Sequence, residues 1–125
     1  LPVEITWATA CVGGKNNATI FVFGGINRYT NSLSDNMDKL INTFDTISQK
    51  WSTPQIEGEP LRRLNSQAVI DTEGKMYMFG GYYAFGNNTE FFQDMIIFNT
   101  NSKSAKDIQD RSSHSAVLTS DGRII

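Results

Sequence analysis

A glycine doublet that follows four apolar residues occurs twice in this chain, and this repetition constrains the fold more than any other feature. Residues 20–23 read Ile-Phe-Val-Phe and residues 76–79 read Met-Tyr-Met-Phe. The doublets that follow them are Gly24-Gly25 and Gly80-Gly81, 56 residues apart. Repetition at a period of about 50 residues is typical of solenoids and propellers, in which each unit packs on the next. The chain is therefore expected to consist of repeated units.

Two further matches support the repeat. A polar segment after each doublet leads to a second apolar run, which ends in Phe-Asp at Phe44 and in Phe-Asn at Phe98, 54 residues apart. The segments that begin at Arg63 and Arg111 also align without a gap, and they share Arg, Ala-Val, and a Gly followed by a basic residue. The unequal offsets indicate one unit of about fifty residues whose loops differ in length.

The apolar runs have the properties of β-strands. They are four to six residues long, rich in aromatic or β-branched residues, and bounded by Gly, Asn, Asp and Ser. Several such strands in each unit indicate a propeller blade, which is a four-stranded antiparallel sheet. A β-sandwich is the alternative, but its strands would alternate between apolar and polar residues, and residues 76–79 do not. The expected fold class is all-β, a partial β-propeller of about two blades and the first strand of a third.

An aromatic residue follows each doublet, and in the first unit a tryptophan follows as well. Six residues separate Phe44 from Trp51, whereas Ala105 occupies the corresponding position after Phe98. This pattern resembles the kelch repeat. The resemblance implies that the structural blade motif comprises Gly24, Gly25, Phe44, Trp51, Gly80, Gly81 and Phe98.

The tryptophan that the second unit lacks bears on the contact between blades. Burial of a large aromatic side chain contributes about 2–3 kcal/mol, and Phe44 and Trp51 are expected to fill the wedge between blades. Ala105 therefore predicts either a looser contact at the second blade or compensation by the aromatic residues of segment 82–92.

The kelch resemblance also divides the chain into blades. Residues 7–57 would form the first blade and residues 62–109 the second, while residues 111–125 would begin a third. The whole chain, residues 1–125, is then one segment of a propeller. Because a closed ring needs at least about four blades, further kelch blades from the rest of a longer chain are expected as neighbours.

The loop between the second and third strands of each blade is the candidate functional region, because loops on a rigid scaffold commonly carry function. Both loops are expected on the same face of the propeller. The second loop, residues 82–92, contains five aromatic residues, and Tyr and Phe are typical interface anchors. The alternative for Phe91 and Phe92 is that they begin the third strand and pack inward. The candidate partner-binding residues are Tyr82, Tyr83, Phe85, Asn27, Arg28 and Tyr29.

The residues that support catalysis are scarce. His114 is the only histidine and Cys11 the only cysteine. A lone histidine without nearby partners makes neither a metal site nor an acid–base pair, and Cys11 in an apolar strand is expected to be a small buried hydrophobe. We therefore expect no metal, no cofactor and no enzymatic activity. The alternative is a fragment of a kelch-type metalloenzyme, either a copper oxidase or an iron-dependent specifier-like protein, whose active site lies outside this segment.

Charge and hydropathy exclude two classes of partner. The net charge is −2 and the basic residues are scattered, with Arg62 and Arg63 as the densest pair, whereas nucleic-acid binding needs a clustered positive surface. No apolar run approaches the ~18 residues that cross a bilayer. A protein partner is therefore favoured, and the predicted function is a protein–protein interaction scaffold that binds through loops on one propeller face.

Two triplets match the acceptor pattern for N-glycosylation, one starting at Asn17 and one at Asn87. Both lie in expected turns or loops, where a glycan is sterically possible. They support a second alternative, an extracellular recognition domain. The compartment therefore stays open between cytoplasmic, which is favoured, and secreted or cell-surface.

Overall fold

A computed structural model of the chain describes residues 5–27, 41–85 and 87–108. These residues form ten β-strands and one short 3-10 turn at Lys15–Asn17, with no α-helix among them. The strands are β1 (Ile5–Gly13), β2 (Thr19–Asn27), β3 (Ile41–Asp45), β4 (Lys50–Ser52), β5 (Gln67–Ile70), β6 (Lys75–Phe79), β7 (Tyr82–Phe85), β8 (Asn88–Phe91), β9 (Met95–Asn99) and β10 (Ser104–Ile108).

Eight of these strands make two four-stranded antiparallel sheets. The strand order is β1-β2-β3-β4 in the first sheet and β5-β6-β9-β10 in the second. The strands β7 and β8 follow β6 in the sequence and form a separate two-stranded hairpin before the chain returns to the second sheet as β9. The all-β class and the two four-stranded blades of a partial propeller are thereby confirmed. The expected start of a third blade, residues 111–125, lies outside the described residues.

The Asp or Asn that follows each repeated Phe shapes the turn between the third and fourth strands of its blade. Asp45 Oδ1 accepts hydrogen bonds of 2.8–2.9 Å from the backbone N–H groups two and three residues later, and Asn99 Oδ1 accepts the equivalent pair at 2.9–3.1 Å. The bond from Ser48, followed by that from Ile47, holds the pKa of the Asp45 carboxyl below its usual value. The repeated Phe-Asp and Phe-Asn pairs therefore mark the same local turn in both blades.

The hydrophobic core lies between the facing surfaces of the two blades. The Phe21 and Phe98 rings meet edge to face, with 5.8 Å between their centroids. Complete burial of a side chain of this size contributes about 1.5–3 kcal/mol to the free energy of unfolding. The packing of the two blades against each other is therefore the main source of stability in the described part. The buried cluster consists of Phe21, Phe23, Ile41, Met76, Met78, Ile96 and Phe98.

Phe44 and Trp51 do not lie between these two blades. They stand opposite each other on β3 and β4, with ring centroids 5.0 Å apart. Cross-strand partners share a face and adjacent residues take opposite faces, so this pair is on the surface of the first blade that faces away from the second. The corresponding residue of the second blade, Phe98, faces the first blade and is fully buried. The repeated Phe of each blade, Phe44 or Phe98, thus lies on the surface that faces the preceding position in a propeller.

The linker between the blades closes the space beside Ala105. The Ala105 N–H donates to the Glu57 carbonyl at 2.9 Å, and Glu57 N–H donates to the Lys103 carbonyl at 3.1 Å, which adds a short parallel bridge to β10. Ile56 packs against the core cluster beside it. The missing tryptophan is therefore compensated by the linker. The alternative compensation by segment 82–92 is wrong, because this segment leaves β6 at the other end of the sheet.

Because the linker occupies this space, restoring the tryptophan of the repeat should destabilise the protein. We expect Ala105→Trp to lower the free energy of unfolding by about 1–3 kcal/mol, the usual cost of overpacking a filled core. Chemical denaturation measures the change. Lys106→Trp, which places the same side chain at the exposed neighbouring position, is the control and should be close to neutral. A stabilised Ala105→Trp protein would contradict this account.

Candidate partner-binding face

Three segments meet at one end of the two blades: the glycine doublets, the last part of the linker (residues 61–66) and the hairpin 82–91. We call this end the doublet face. The turns between the first and second strands, and between the third and fourth strands, lie at the opposite end of each antiparallel sheet. The loop that follows the first doublet, residues 28–40, lies outside the described residues.

The first doublet is held by the residues that enter the second blade. Arg62 Nη1 donates hydrogen bonds to the carbonyls of Gly24 and Gly25, at 3.0 and 2.8 Å. The Gly25 N–H in turn donates to the Arg63 carbonyl at 3.1 Å. A Cβ on Gly24 would lie 2.2 Å from that carbonyl oxygen, and Gly24 has a φ of +70°. A side chain is therefore excluded here by both space and backbone conformation.

Arg63 is the buried centre of the doublet face, with only 2% of its surface exposed. Its Nη1 donates to the Gly80 carbonyl at 3.1 Å, and its two terminal nitrogens bond the two carboxylate oxygens of Asp94. The guanidinium also lies 4.1 Å above the centre of the Phe92 ring. A buried charge is tolerated when it is paired in this bidentate way. Because these three partners flank the hairpin, Arg63 fixes both ends of it.

The aromatic segment forms a hairpin, not the loop that the sequence predicted. Tyr82 pairs with Phe91, and Phe85 with Asn88. The hairpin is joined to the linker by two backbone hydrogen bonds between Tyr82 and Leu64, of 2.8 and 3.0 Å. The alternative interpretation of Phe91 as an inward-packed residue of the third strand is wrong, because Phe91 is 73% exposed and the third strand begins at Met95.

The six candidate partner-binding residues are only partly brought together. Tyr82 and Tyr83 lie half-buried in β7, and the Tyr82 ring is 6.0 Å from that of Phe91. Phe85 ends β7 and Asn27 ends β2. Arg28 and Tyr29 lie outside the described residues, so their placement on this face stays a prediction.

Three exposed apolar side chains lie at this end of the blades; Phe91 belongs to the aromatic segment recognised in the sequence, whereas Leu61 and Trp7 were not among the candidates. Phe91, Leu61 and Trp7 are exposed by 73%, 57% and 56%. Trp7 belongs to this end because its carbonyl accepts the Asn65 N–H at 3.1 Å. A large apolar side chain in the linker, Leu61, between a proline and two arginines, was the signal that a surface of this kind was present.

The two predicted glycosylation acceptors are accessible and lie at opposite ends of the blades. Asn17 is exposed in the turn between β1 and β2, and Asn87 is exposed next to β8 in the hairpin. Neither side chain is enclosed by the fold. Their use as acceptors stays a prediction.

The described residues contain no group of three or more His, Cys, Asp or Glu side chains arranged to hold a metal ion. Cys11 is half-buried against the core, as a small hydrophobe would be, and this burial raises the pKa of its thiol. His114 lies outside the described residues. In the same part of the chain no helix is long and apolar enough to cross a membrane.

The sequence model of the KLHDC2/KLHL20/DRC7 Kelch-repeats domain matches residues 1–125. The chain belongs to this kelch-repeat family. The resemblance inferred from the doublets is therefore confirmed over the full length of the sequence. The sequence has no match among the curated proteins.

The kelch-repeat chain is also similar to a solved structure titled "Structure of YjhT", with a TM-score of 0.65 and 17% sequence identity. The match covers 98% of this chain and 33% of that one. The chain thus spans a third of the length of this neighbour, and the likeness at this identity concerns the fold alone.

Proposed function

We propose that this kelch-repeat chain is a protein–protein interaction scaffold, not an enzyme, and that it binds its partner through the doublet face. The observation that carries the proposal is the aromatic hairpin 82–91, which is fixed at its base yet leaves β8 exposed. Membership of the kelch-repeat family supports the same function, because kelch repeats commonly present surface segments to protein partners.

Rigidity of the hairpin favours tight binding. A partner that docks on a mobile loop must order it, at a cost of about 0.5–1.5 kcal/mol for each immobilised side chain. Here the Arg63–Asp94 pair and the Tyr82–Leu64 bonds already hold the hairpin base. Aromatic side chains on such a base have few rotatable bonds and a large contact area, which are the properties of binding hot spots.

The test compares partner capture by the intact protein and by two variants, Tyr82→Ala and Tyr83→Ala. Loss of a hot-spot side chain costs about 2 kcal/mol or more, so each variant should bind the captured partner at least about tenfold more weakly. Circular dichroism checks that the variants are folded. Ile47→Ser is the matched control, because Ile47 is 81% exposed in the turn at the opposite end of the first blade, and it should retain the partner.

Two results would contradict the proposal. Undiminished capture by both tyrosine variants would remove the doublet face as the binding surface. Stoichiometric copper or iron in the intact protein would favour the metalloenzyme alternative over the scaffold.

A further inference from the structure

The outer edge of β8 carries backbone groups that no strand pairs among residues 5–27, 41–85 and 87–108. In an antiparallel ladder the N–H and C=O of a residue point to the same side, and the side alternates along the strand. Phe92 N–H donates to the Gly81 carbonyl at 3.0 Å, and Tyr82 directs its own N–H and C=O to Leu64, away from β8. By this alternation, Thr89 and Phe91 direct their N–H and C=O groups away from β7.

This edge is open to solvent. All four residues of β8, Asn88–Phe91, are exposed, and within residues 5–27, 41–85 and 87–108 the only strand that pairs with β8 is β7. An exposed edge with free N–H and C=O groups is a template for an additional strand. The hairpin does not shift to cover it, because its other edge is already bonded to the linker at Leu64.

A second copy of this chain is a poor occupant of the edge. The antiparallel register that satisfies Thr89 and Phe91 in both copies places Glu90 directly opposite Glu90 of the other copy. Like charges directly opposite each other destabilise a strand pair. Glu90 has no ion pair among the described residues, so nothing in this part of the molecule offsets the repulsion.

We propose that β8 docks an extended segment of a protein partner, in antiparallel orientation, whose sequence reads apolar–basic–any. The basic residue stands opposite Glu90. The apolar residue, which precedes the basic residue in the partner segment, lies opposite Phe91. It packs on the Phe91 and Tyr82 rings, which share one face of the hairpin. The backbone groups of the first and third residues bond to Phe91 and Thr89. This inference rests on the proposed scaffold function and specifies the chemistry of its partner.

Fluorescent nonapeptides titrated into the intact protein provide the test. The probe is Ser-Thr-Thr-Phe-Lys-Val-Thr-Thr-Ser, and its counterpart has Glu in place of Lys. Because cross-strand charge pairs contribute up to about 1 kcal/mol in either direction, the Lys peptide should bind about tenfold more tightly. Glu90→Lys should reverse the preference. Glu73→Lys, the same change at an exposed position in the turn at the opposite end of the second blade, should leave it unchanged.

Hydrogen exchange locates the bound peptide. The amides of Thr89 and Phe91 should become protected in the complex, whereas those of Asn88 and Glu90, which already point toward β7, should change little. Methylation of the peptide nitrogen at the Phe and Val positions removes the donors and should abolish binding.

Three outcomes would overturn the proposal. The first is equal affinity for the Lys and Glu peptides, and the second is no peptide affinity with unchanged exchange at Thr89 and Phe91. The third is a dimer of the unmodified protein that protects the same two amides. If the peptides fail but Tyr82→Ala still loses the captured partner, the edge proposal falls and the scaffold function stands. If capture is also unaffected, both fall.

Discussion

Replacing Asp94 with Ala should lower the free energy of unfolding by about 3–5 kcal/mol, the usual cost of leaving a buried charge without its partner. Arg63 is 2% exposed, and its Nη2 lies 3.0 Å from Asp94 Oδ2. Asp94→Ala leaves the guanidinium buried, with its hydrogen bond to the Gly80 carbonyl but without the carboxylate. Urea denaturation followed by tryptophan fluorescence measures the change.

An exposed ion pair in the second blade provides the control. Lys75 and Glu73 pair at 2.9 Å, but both side chains are exposed. A surface pair of this kind contributes about 0–1 kcal/mol, so Glu73→Ala should hardly change the free energy of unfolding. Similar effects of the two replacements would contradict the prediction that the buried Arg63 depends on Asp94 more than the exposed Lys75 depends on Glu73.

Replacing Gly24 with Ala should lower the free energy of unfolding by about 2–5 kcal/mol. A residue with a Cβ pays about 1–2 kcal/mol in the left-handed region, where Gly24 lies at φ +70°. The new Cβ would also stand 2.2 Å from the Arg63 carbonyl oxygen, and relief of that overlap moves the two blades apart at a further cost of about 1–3 kcal/mol. Thermal unfolding of the variant measures the sum.

Gly80 is the equivalent residue of the second blade. Gly80→Ala separates the cost of the backbone conformation from the cost of the steric overlap. It has a φ of +58°, but the nearest atom to its Cβ position, the Phe92 carbonyl oxygen, is at an ordinary 3.5 Å. We expect Gly80→Ala to cost only about 1–2 kcal/mol, from backbone conformation alone. If Gly24→Ala costs no more than Gly80→Ala, the overlap with Arg63 is not what selects glycine at position 24.

The strands and the repeat could be predicted from the sequence because their signals are local. The apolar runs before each doublet became β2 and β6, and the Asp or Asn after each repeated Phe became the same turn in both blades. The role of Arg63 could not be predicted in this way. Its partner Asp94 is 31 residues away, and only the folded chain brings the two side chains together.

The candidate site was predicted less completely than the fold. The aromatic segment was recognised by composition, but its hairpin was not. The signal was present, since the Gly-Asn pair at residues 86–87 is a common two-residue connection between strands. The sequence also could not predict which neighbouring blade Phe44 and Trp51 face. Apolar residues on one surface of a strand give the same sequence pattern whether that surface packs on the preceding or on the following blade.

The first blade cannot be completed during synthesis until the second has begun to emerge. A ribosome releases the chain from its N-terminus, so Gly24 and Gly25 appear nearly 40 residues before Arg62 and Arg63, which bond to them. Until then the doublet carbonyls lack these donors, and Phe98, which packs against Phe21, emerges a further 35 residues after Arg63. Completion of the first blade is thus timed by translation of the second, and a pause in translation within the linker would prolong the exposure of the first.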